Sequence, residues 1–321
     1  MITAYRSRSG LASQNGLGSL QPWTILALLL LCSTNSIVSQ TVTVSVIPDA
    51  DAFVRASEPS ANFGGAGAIA VSGSAATNAA NQQNGAFDSL IRFPMSNAVT
   101  SLESTLGTND WLVLRATLKL TEMGAPPSPL FNRGVGTFEI GWIATDSWIE
   151  GTGIPVTPTT NGVTWSDIPS LLNTATDVSL GQFTNSGSDM RLSFVLRLRD
   201  SFISDIRAGG PLTLYLTAIS PQIGFTADSR SFISSNDLPV IEIIAAASPH
   251  PRIDSIQNQG TNTILSFETL SNWTYTVQGA DRFAGTWSNL VLLPPRSTNG
   301  HVAISAPKTA SQRFYRLSLS Q

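Results

Sequence analysis

Cysteine and histidine are nearly absent from this sequence. Cys32 is the one cysteine among 321 residues, so an intrachain disulfide cannot form. The two histidines are His250, which lies between two prolines, and His301. A Ser-His-Asp triad needs a buried histidine beside an acid and a nucleophile, and zinc or copper sites need clusters of Cys and His. Neither kind of chemistry is expected from this composition.

Charged residues are also scarce. Asp, Glu, Lys and Arg make up 12% of the chain, which is about half of the usual fraction. Acidic residues outnumber basic ones by 21 to 18, and Lys119 and Lys308 are the only lysines. Nucleic acid is therefore not expected as a partner, because phosphate binding depends on clustered basic side chains. The weak charge and the many Gly, Pro, Ser and Thr residues are typical of secreted β proteins.

One strongly apolar run lies near the N-terminus. Arg6 and Arg8 precede it, residues 23–32 form it, and small polar residues follow it. The run is too short to span a bilayer comfortably and has the layout of an export signal. Residues 1–39 are therefore predicted to be a signal peptide, and no membrane span is expected after its removal. The remaining chain has 21 acidic and 16 basic residues, a net charge of about −5.

The rest of the chain shows the polar–apolar alternation of β-strands. Residues 41–47 and 112–120 are clear examples. Short helices are predicted at residues 96–107 and 200–207, without the alternation of strands and helices that nucleotide-binding folds have. About ten short strands within residues 40–245 predict an all-β domain, a jelly-roll-like β-sandwich.

A linker and a second module are predicted after this domain. Residues 246–251 consist of small residues followed by Pro-His-Pro, which favours an extended chain. Residues 252–321 contain five or six further strand patterns. We therefore expect a second, smaller β-sandwich module at the C-terminal end.

Several motifs in the first domain follow the order of a known family. They are Asp51-Ala52-Phe53-Val54-Arg55, Asn62-Phe63-Gly64, Leu90-Ile91-Arg92-Phe93, the tryptophan segments 147–150 and 163–169, and Ala227-Asp228-Ser229-Arg230-Ser231. Together, residues 41–245 resemble the DNRLRE domain, which is also classed as a carbohydrate-binding module; Ser231 stands where that family has Glu. The resemblance implies an extracellular, noncatalytic β-sandwich of proteins that bind or process polysaccharides. Residues 252–321 are similar to small C-terminal sandwich modules of secreted bacterial proteins.

A loop rich in Gly, Pro and Thr, at residues 151–162, lies between two tryptophans. Trp148 and Trp165 flank it, and each has an acidic residue nearby, Glu150 and Asp167. A sugar ring can stack on an indole while polar side chains bind its hydroxyls. These four residues are therefore the candidate carbohydrate-binding residues. The favoured alternative for the tryptophans is a packed pair between the two sheets, which would leave the loop as the binding surface.

Carboxylates in the same segment suggest a hydrolytic alternative. Glycoside hydrolysis needs two acids placed across the sugar, and Asp146, Glu150 and Asp167 lie close together in the sequence. The ordinary alternative is that they cap turns. Turn capping is favoured, so no catalytic residue is predicted.

Calcium is the one cofactor that the sequence suggests. It binds carboxylate and amide oxygens and would stabilise an exported protein that lacks disulfides. Asp49, Asp51, Asn62 and Asp228 are the candidate ligands, because they lie near predicted strand ends. Ordinary turn positions are the alternative for each of them.

These patterns predict a secreted or cell-surface protein that binds a polysaccharide or cell-surface glycan without catalysis, or that acts in adhesion. One alternative is a structural protein of an envelope or matrix that has no saccharide site. The least favoured alternative is a glycan-cleaving enzyme that uses a carboxylate pair.

Overall fold

The computed structural model describes residues 41–78, 80–123, 130, 132–187, 191–232, 238–308 and 312–320. The predicted signal peptide lies outside these residues. The described chain forms two compact units, of which one ends at Ser248 and the other begins at Pro249. Antiparallel strands dominate both units, so the all-β, sandwich-like prediction is confirmed. None of the helices among the described residues is long and apolar enough to cross a membrane.

The first unit contains eleven strands and three α-helices in its described residues. The strands are β1 Thr41–Val46, β2 Ala50–Arg55, β3 Ala68–Ser72, β4 Phe87–Pro94, β5 Trp111–Thr121, β6 Gly136–Ile143, β7 Val178–Asn185, β8 Arg191–Leu196, β9 Pro211–Ala218, β10 Gly224–Asp228 and β11 Val240–Ala247. The helices are α1 Ser96–Leu106, α2 Ile168–Leu171 and α3 Asp200–Ala208, and a 3-10 turn, Trp165–Asp167, precedes α2.

Two sheets pack face to face in this unit. The smaller sheet has the order β1-β11-β5-β8, and the larger has the order β10-β3-β4-β9-β6-β7, with β2 also paired to β4. Alternate residues of the strands other than β2 point between the sheets, and Phe93, Leu118, Leu214 and Ile243 are examples that are fully buried there. Burying each such side chain contributes roughly 1.5–3 kcal/mol, so this core holds the sandwich together without a disulfide.

Strands β10 and β11 differ from the sequence prediction for reasons that the structure shows. Strand β10 was not predicted, because all five of its residues are buried and it therefore lacks a clear alternation of polar and apolar residues. Strand β11 continues through Ala246 and Ala247, the first two residues of the predicted linker. Ala246 pairs with Thr41 and Leu112, and Ala247 pairs with Trp111. The predicted helices are confirmed as α1 and α3 to within one residue.

A second apolar layer covers part of the outer face of the larger sheet. Ala52 of β2 and Leu90 of β4 point away from the space between the sheets, and Trp148, Val163 and Ile168 pack onto them. The chain between β6 and β7 therefore lies across this face.

The second unit is a smaller sandwich of six strands. They are β12 Ile253–Gln259, β13 Asn262–Thr269, β14 Thr274–Ala280, β15 Ser288–Leu293, β16 Gly300–Pro307 and β17 Phe314–Ser320. Its two sheets have the orders β12-β13-β16 and β15-β14-β17. Leu265, Phe267, Tyr275 and Val277 are fully or nearly fully buried between them.

Candidate functional site

Trp148 and Trp165 pack on the outer face of the larger sheet. Trp148 is only 5% exposed, its Nε1 donates a hydrogen bond to Thr213 Oγ1 at 3.2 Å, and the Arg92 guanidinium lies 5.2 Å from its ring. Trp165 is half-buried against the same cluster. The expectation that the pair bridges the two sheets is therefore wrong. The reason is strand alternation, since Leu90 and Thr213 point to the side opposite the inter-sheet core.

Trp148 and Asp167, two of the predicted sugar-binding residues, are engaged in contacts within the protein. With 5% exposure, the Trp148 indole has no open face on which a sugar ring could stack. Asp167 caps the turn that Trp165 begins, because its Oδ2 accepts hydrogen bonds from Thr164 N and Oγ1 at 2.9 and 2.8 Å. This is the reciprocal arrangement of a capping box, the turn-capping role that was favoured for this acid.

Glu150, a third predicted sugar-binding residue, lies in an ion-pair cluster with Asp51 and Arg230. Arg230 Nε donates to Glu150 Oε1 at 2.8 Å, and Nη2 donates to Oε2. The backbone N–H of Asp51 donates to Glu150 Oε1 at 3.1 Å, and the backbone N–H of Arg230 donates to Asp51 Oδ2 at 2.7 Å. The cluster thus joins β2, the segment after β6 and the segment after β10.

Asp51 is the most strongly perturbed acid of this cluster. Its side chain is almost completely buried. Burial, together with a smaller contribution from the nearby Glu150 carboxylate, raises the pKa of Asp51 from 3.8 to about 7. Hydrogen bonds from the Arg230 N–H and the Ser229 hydroxyl counteract this effect only in part. A proton on Asp51 near neutral pH would leave one negative charge, on Glu150, for the one guanidinium of Arg230.

Asn62 holds both ends of the 151–162 loop. Its side chain is fully buried, and its Nδ2 donates to the carbonyl oxygens of Glu150 at 2.7 Å and Val163 at 2.8 Å. Its Oδ1 accepts the N–H of Gly153 at 3.2 Å. Gly151 has φ +76°, and a Cβ there would lie 2.2 Å from Asn62 Oδ1, so this close approach requires glycine.

The four predicted calcium ligands contact protein groups. Asp49 Oδ1 pairs with Arg92 Nε at 3.0 Å, Asp228 lies buried at the end of β10, and Asp51 and Asn62 make the contacts described above. Among the described residues, the cluster of three His, Asp or Glu side chains that could hold a metal ion is Asp254, Glu268 and His301, all exposed. Calcium binding by the four predicted ligands stays a prediction.

Asp146, the third acid of the hydrolytic alternative, also forms hydrogen bonds within the protein. Thr213 Oγ1 donates to Asp146 Oδ1 at 2.6 Å, and Arg92 Nη1 donates to the backbone oxygen of Asp146 at 3.0 Å. Burial raises the pKa of Asp146, while the Thr213 hydrogen bond and the Arg92 charge lower it. Asp146 thus fixes the Thr213 hydroxyl that accepts the Trp148 hydrogen bond.

Another set of polar side chains occupies the open part of the same outer face. In β6, Phe138 and Ile140 point into the inter-sheet core, so Glu139 between them points out. Glu139 lies directly opposite Gln182 of β7 and Thr217 of β9. Cross-strand partners point to the same face, so the carboxylate, the amide and the hydroxyl form one row.

Tyr215 lies next to this row. It is half-buried, and its hydroxyl donates to Asp88, which also receives the Thr217 hydroxyl. Burial raises the pKa of Asp88. Gly141 faces Tyr215 across the strands, and a Cβ at Gly141 would meet its nearest neighbours, both backbone oxygens, only at 3.6 and 3.9 Å. A Cβ at Gly141 would thus make ordinary van der Waals contacts with the backbone and would not clash with it.

We call Glu139, Gly141, Gln182, Tyr215 and Thr217 the outer-face strip. Within the part of the chain that the structure describes, no basic side chain forms an ion pair with Glu139, and Gln182 is exposed. The Glu139 carboxylate and the Gln182 amide can therefore bind hydroxyl groups of a ligand. The sequence does indicate that Glu139 points outward, but it does not indicate that β7 and β9 are the neighbours of β6.

Comparisons with known proteins give little further information. No family model matches the sequence, and no curated protein matches it. Among solved structures, a chain from the structure of the Macrobrachium rosenbergii nodavirus aligns over 96% of this chain and 91% of that chain, with 10% identity and a TM-score of 0.22. That TM-score is too low for the alignment to support a statement about function.

Proposed function

We propose that the protein is a secreted, noncatalytic polysaccharide-binding or cell-surface adhesion protein, and that the outer-face strip binds the glycan. The supporting observation is the register of β7, β6 and β9. It places Gln182, Glu139 and Thr217 in one row on the outer face of the larger sheet, beside the half-buried ring of Tyr215.

The chemistry of the strip suits a sugar polymer. A carboxylate and an amide bind pairs of sugar hydroxyls, and an aromatic ring packs against the apolar C–H face of a sugar. Strands lie about 4.8 Å apart, so a row across three strands extends over roughly 10 Å. Gln182 is exposed and Glu139 and Thr217 are partly exposed, so a sugar chain that lies across these strands can contact all three residues.

Two features of the sequence support the rest of the proposal. The resemblance of residues 41–245 to the DNRLRE domain implies a role with polysaccharides, and the apolar run at residues 23–32 within the proposed signal peptide implies export. Calcium bound near Asp49 and Asp51 belongs to the same proposal, as a stabilising ion.

The test is retention of the purified protein in affinity gels that contain different polysaccharides, together with a glycan array. We expect at least one polysaccharide to retard the protein. Glu139→Gln and Gln182→Ala should each reduce that retention. For Glu139→Gln, which removes a charged contact, the dissociation constant should rise about tenfold. Glu268→Gln and Gln257→Ala make the same chemical changes at exposed positions of the second unit and should have no effect.

A structural protein without a saccharide site is the second candidate. The observation that favours it is that Trp148, Glu150 and Asp167 are engaged in packing, ion pairing and capping. Absence of retention on every polysaccharide would favour this alternative. Release of reducing ends that Glu150→Gln abolishes would instead support a hydrolase.

A further inference from the structure

The two units differ in the sign of their charge. Between residues 41 and 248 the sequence has 18 acidic and 10 basic residues, whereas residues 249–321 have 3 acidic and 6 basic residues. The second unit therefore has a net charge of about +3, on a chain that is acidic as a whole. A basic module attracts anionic ligands that the rest of the chain repels.

One row of side chains on the second unit concentrates hydrogen-bond donors. In the β15-β14-β17 sheet, Tyr275 and Val277 point into the core, so Gln278 points out. Gln278 lies opposite Arg316 of β17 and Asn289 of β15. These three residues, the Arg316 row, therefore lie side by side on the outer face of the sheet.

Hydrogen bonds fix the orientation of the Arg316 row. Arg316 Nε donates to Gln278 Oε1 at 2.7 Å, and Gln278 Nε2 donates to Asn289 Oδ1 at 2.7 Å. The guanidinium carbon of Arg316 also lies 4.4 Å from the ring centre of Trp287, a cation–π contact. Because side chains held in this way lose little freedom on binding, the row is preorganised for a ligand.

The charge of Arg316 is not neutralised by the described part of the protein. Among the described residues, no carboxylate lies within ion-pair distance of its guanidinium. The described acids of this unit lie elsewhere: Asp281 is 3.9 Å from Arg313, and Asp254 and Glu268 belong to the other sheet. The terminal nitrogens of Arg316 and the Nδ2 of Asn289 therefore remain as donors for an acceptor on a ligand.

Hydroxyl groups extend this surface along the strands. Thr276 and Ser318 are opposite each other, two residues from Gln278 and Arg316 on the same face. Ser318 is exposed, and Thr276 is half-buried. The surface thus combines a cation, amides, hydroxyls and an indole, which are groups that bind an acidic group and the hydroxyls of a sugar.

We propose that the Arg316 row is a second binding site, whose ligand is an acidic polysaccharide. A carboxylate or sulfate group of the sugar accepts hydrogen bonds from Arg316 and Asn289. Neighbouring sugar hydroxyls bind Thr276 and Ser318, and Trp287 acts as a positioning residue for the guanidinium. This proposal deepens the proposed function, on which it rests for the class of ligand, and assigns acidic sugars to the second unit.

The experiment measures the affinity of the full chain for four ligands at low and high salt. They are polygalacturonate, its carboxyl-reduced neutral form, a sulfated polysaccharide such as heparin, and single-stranded DNA. The protein variants are Arg316→Gln, Arg316→Lys, Trp287→Leu and the control Arg296→Gln. Arg296 is an exposed arginine of the same unit, so the control removes the same charge at a different place. Thermal melting shows that each variant is folded.

The proposal expects the protein to bind an acidic polysaccharide, with an affinity that falls as salt is added. The neutral form of the same polysaccharide should bind more weakly than the acidic form. Arg316→Gln should weaken it about tenfold or more. Arg316→Lys should lie between Arg316→Gln and the wild type, because lysine keeps the charge without the planar donor set. Trp287→Leu should weaken binding less than Arg316→Gln, and Arg296→Gln should change it less than twofold. Polygalacturonate and heparin separate a carboxylate from a sulfate preference.

Equal affinities for Arg316→Gln and Arg296→Gln would overturn the proposal, as would binding of single-stranded DNA without binding of an acidic polysaccharide. Glu139→Gln, measured with the same ligands, distinguishes this proposal from the outer-face strip. If Glu139→Gln abolishes glycan binding while Arg316→Gln leaves every affinity unchanged, the second site is refuted and the proposed function stands. If the reverse is found, the Arg316 row is supported and the outer-face strip is refuted.

Discussion

Replacing Asp51 with asparagine should make the protein more stable at neutral and alkaline pH. Burial raises the pKa of Asp51 from 3.8 to about 7. Since the folded state then binds the proton more tightly than the unfolded state, the free energy of unfolding falls as the pH rises from about 4 to about 7 and is lowest above that range. A shift of about 3 pKa units at 1.36 kcal/mol per unit corresponds to roughly 4 kcal/mol.

Asp51→Asn removes this titration and keeps an oxygen that can accept the Arg230 N–H. The variant should therefore gain up to about 4 kcal/mol over the wild type at pH 8 and much less at pH 4. The assay is urea unfolding followed by tryptophan fluorescence at pH 4, 5, 6, 7 and 8, with a chelator present so that no calcium binds Asp51, and with separate transitions fitted for the two units. Asp281→Asn, at a side chain that is 63% exposed, serves as the control and should unfold like the wild type at every pH.

Two results would refute this reasoning. One is a difference between Asp51→Asn and the wild type that stays constant from pH 4 to pH 8, since it would mean that Asp51 does not titrate in that range. The other is a variant that is less stable than the wild type at pH 8, since the carboxylate charge would then contribute to stability through Arg230.

Three further predictions concern the segment between β6 and β7 and the calcium proposal. Trp148→Ala should lower the free energy of unfolding of the first unit by about 3–5 kcal/mol, because the buried indole leaves a cavity; a loss below about 1 kcal/mol would contradict its place in the core. Asn62→Ala leaves buried backbone groups without partners, at about 1–3 kcal/mol each, and should expose residues 151–162 to proteases, whereas Asn161→Ala at an exposed site of the loop should have a smaller effect. If calcium binds Asp49 and the other proposed ligands, adding a chelator should lower the melting midpoint of the protein. An unchanged midpoint would remove calcium from the proposal.

Much of the fold follows from local patterns in the sequence. The alternation in β5 and β11 and the apolar faces of α1 and α3 predict these elements, because each has one buried face and one solvent-facing side. Strand β10 was missed since both of its faces are buried. Its residue Thr226, for example, is 1% exposed although it is polar. Periodicity carries no signal in such a strand.

The candidate site was less predictable, because it depends on which strands become neighbours. Tryptophans beside acids suggested a sugar platform at Trp148, but the indole is buried by residues distant in the sequence, such as Leu90. Glu139 and Gln182 have no motif around them, and they become neighbours only through the pairing of β6 with β7. The contact of Glu150 with Arg230 also joins residues 80 positions apart. Local patterns in the sequence do not indicate which of such distant residues come into contact.

The most direct test of the central claim is amide chemical-shift mapping of the labelled protein during titration with a polysaccharide that retards it. The proposed outer-face strip predicts that the largest changes fall on β6, β7 and β9, at Glu139, Gly141, Gln182 and Thr217. Gly141→Thr, which adds a branched side chain to the outer-face strip beside Tyr215, should abolish these changes while the fold is kept. Changes confined to residues 151–162, or no binding of any polysaccharide, would contradict the claim.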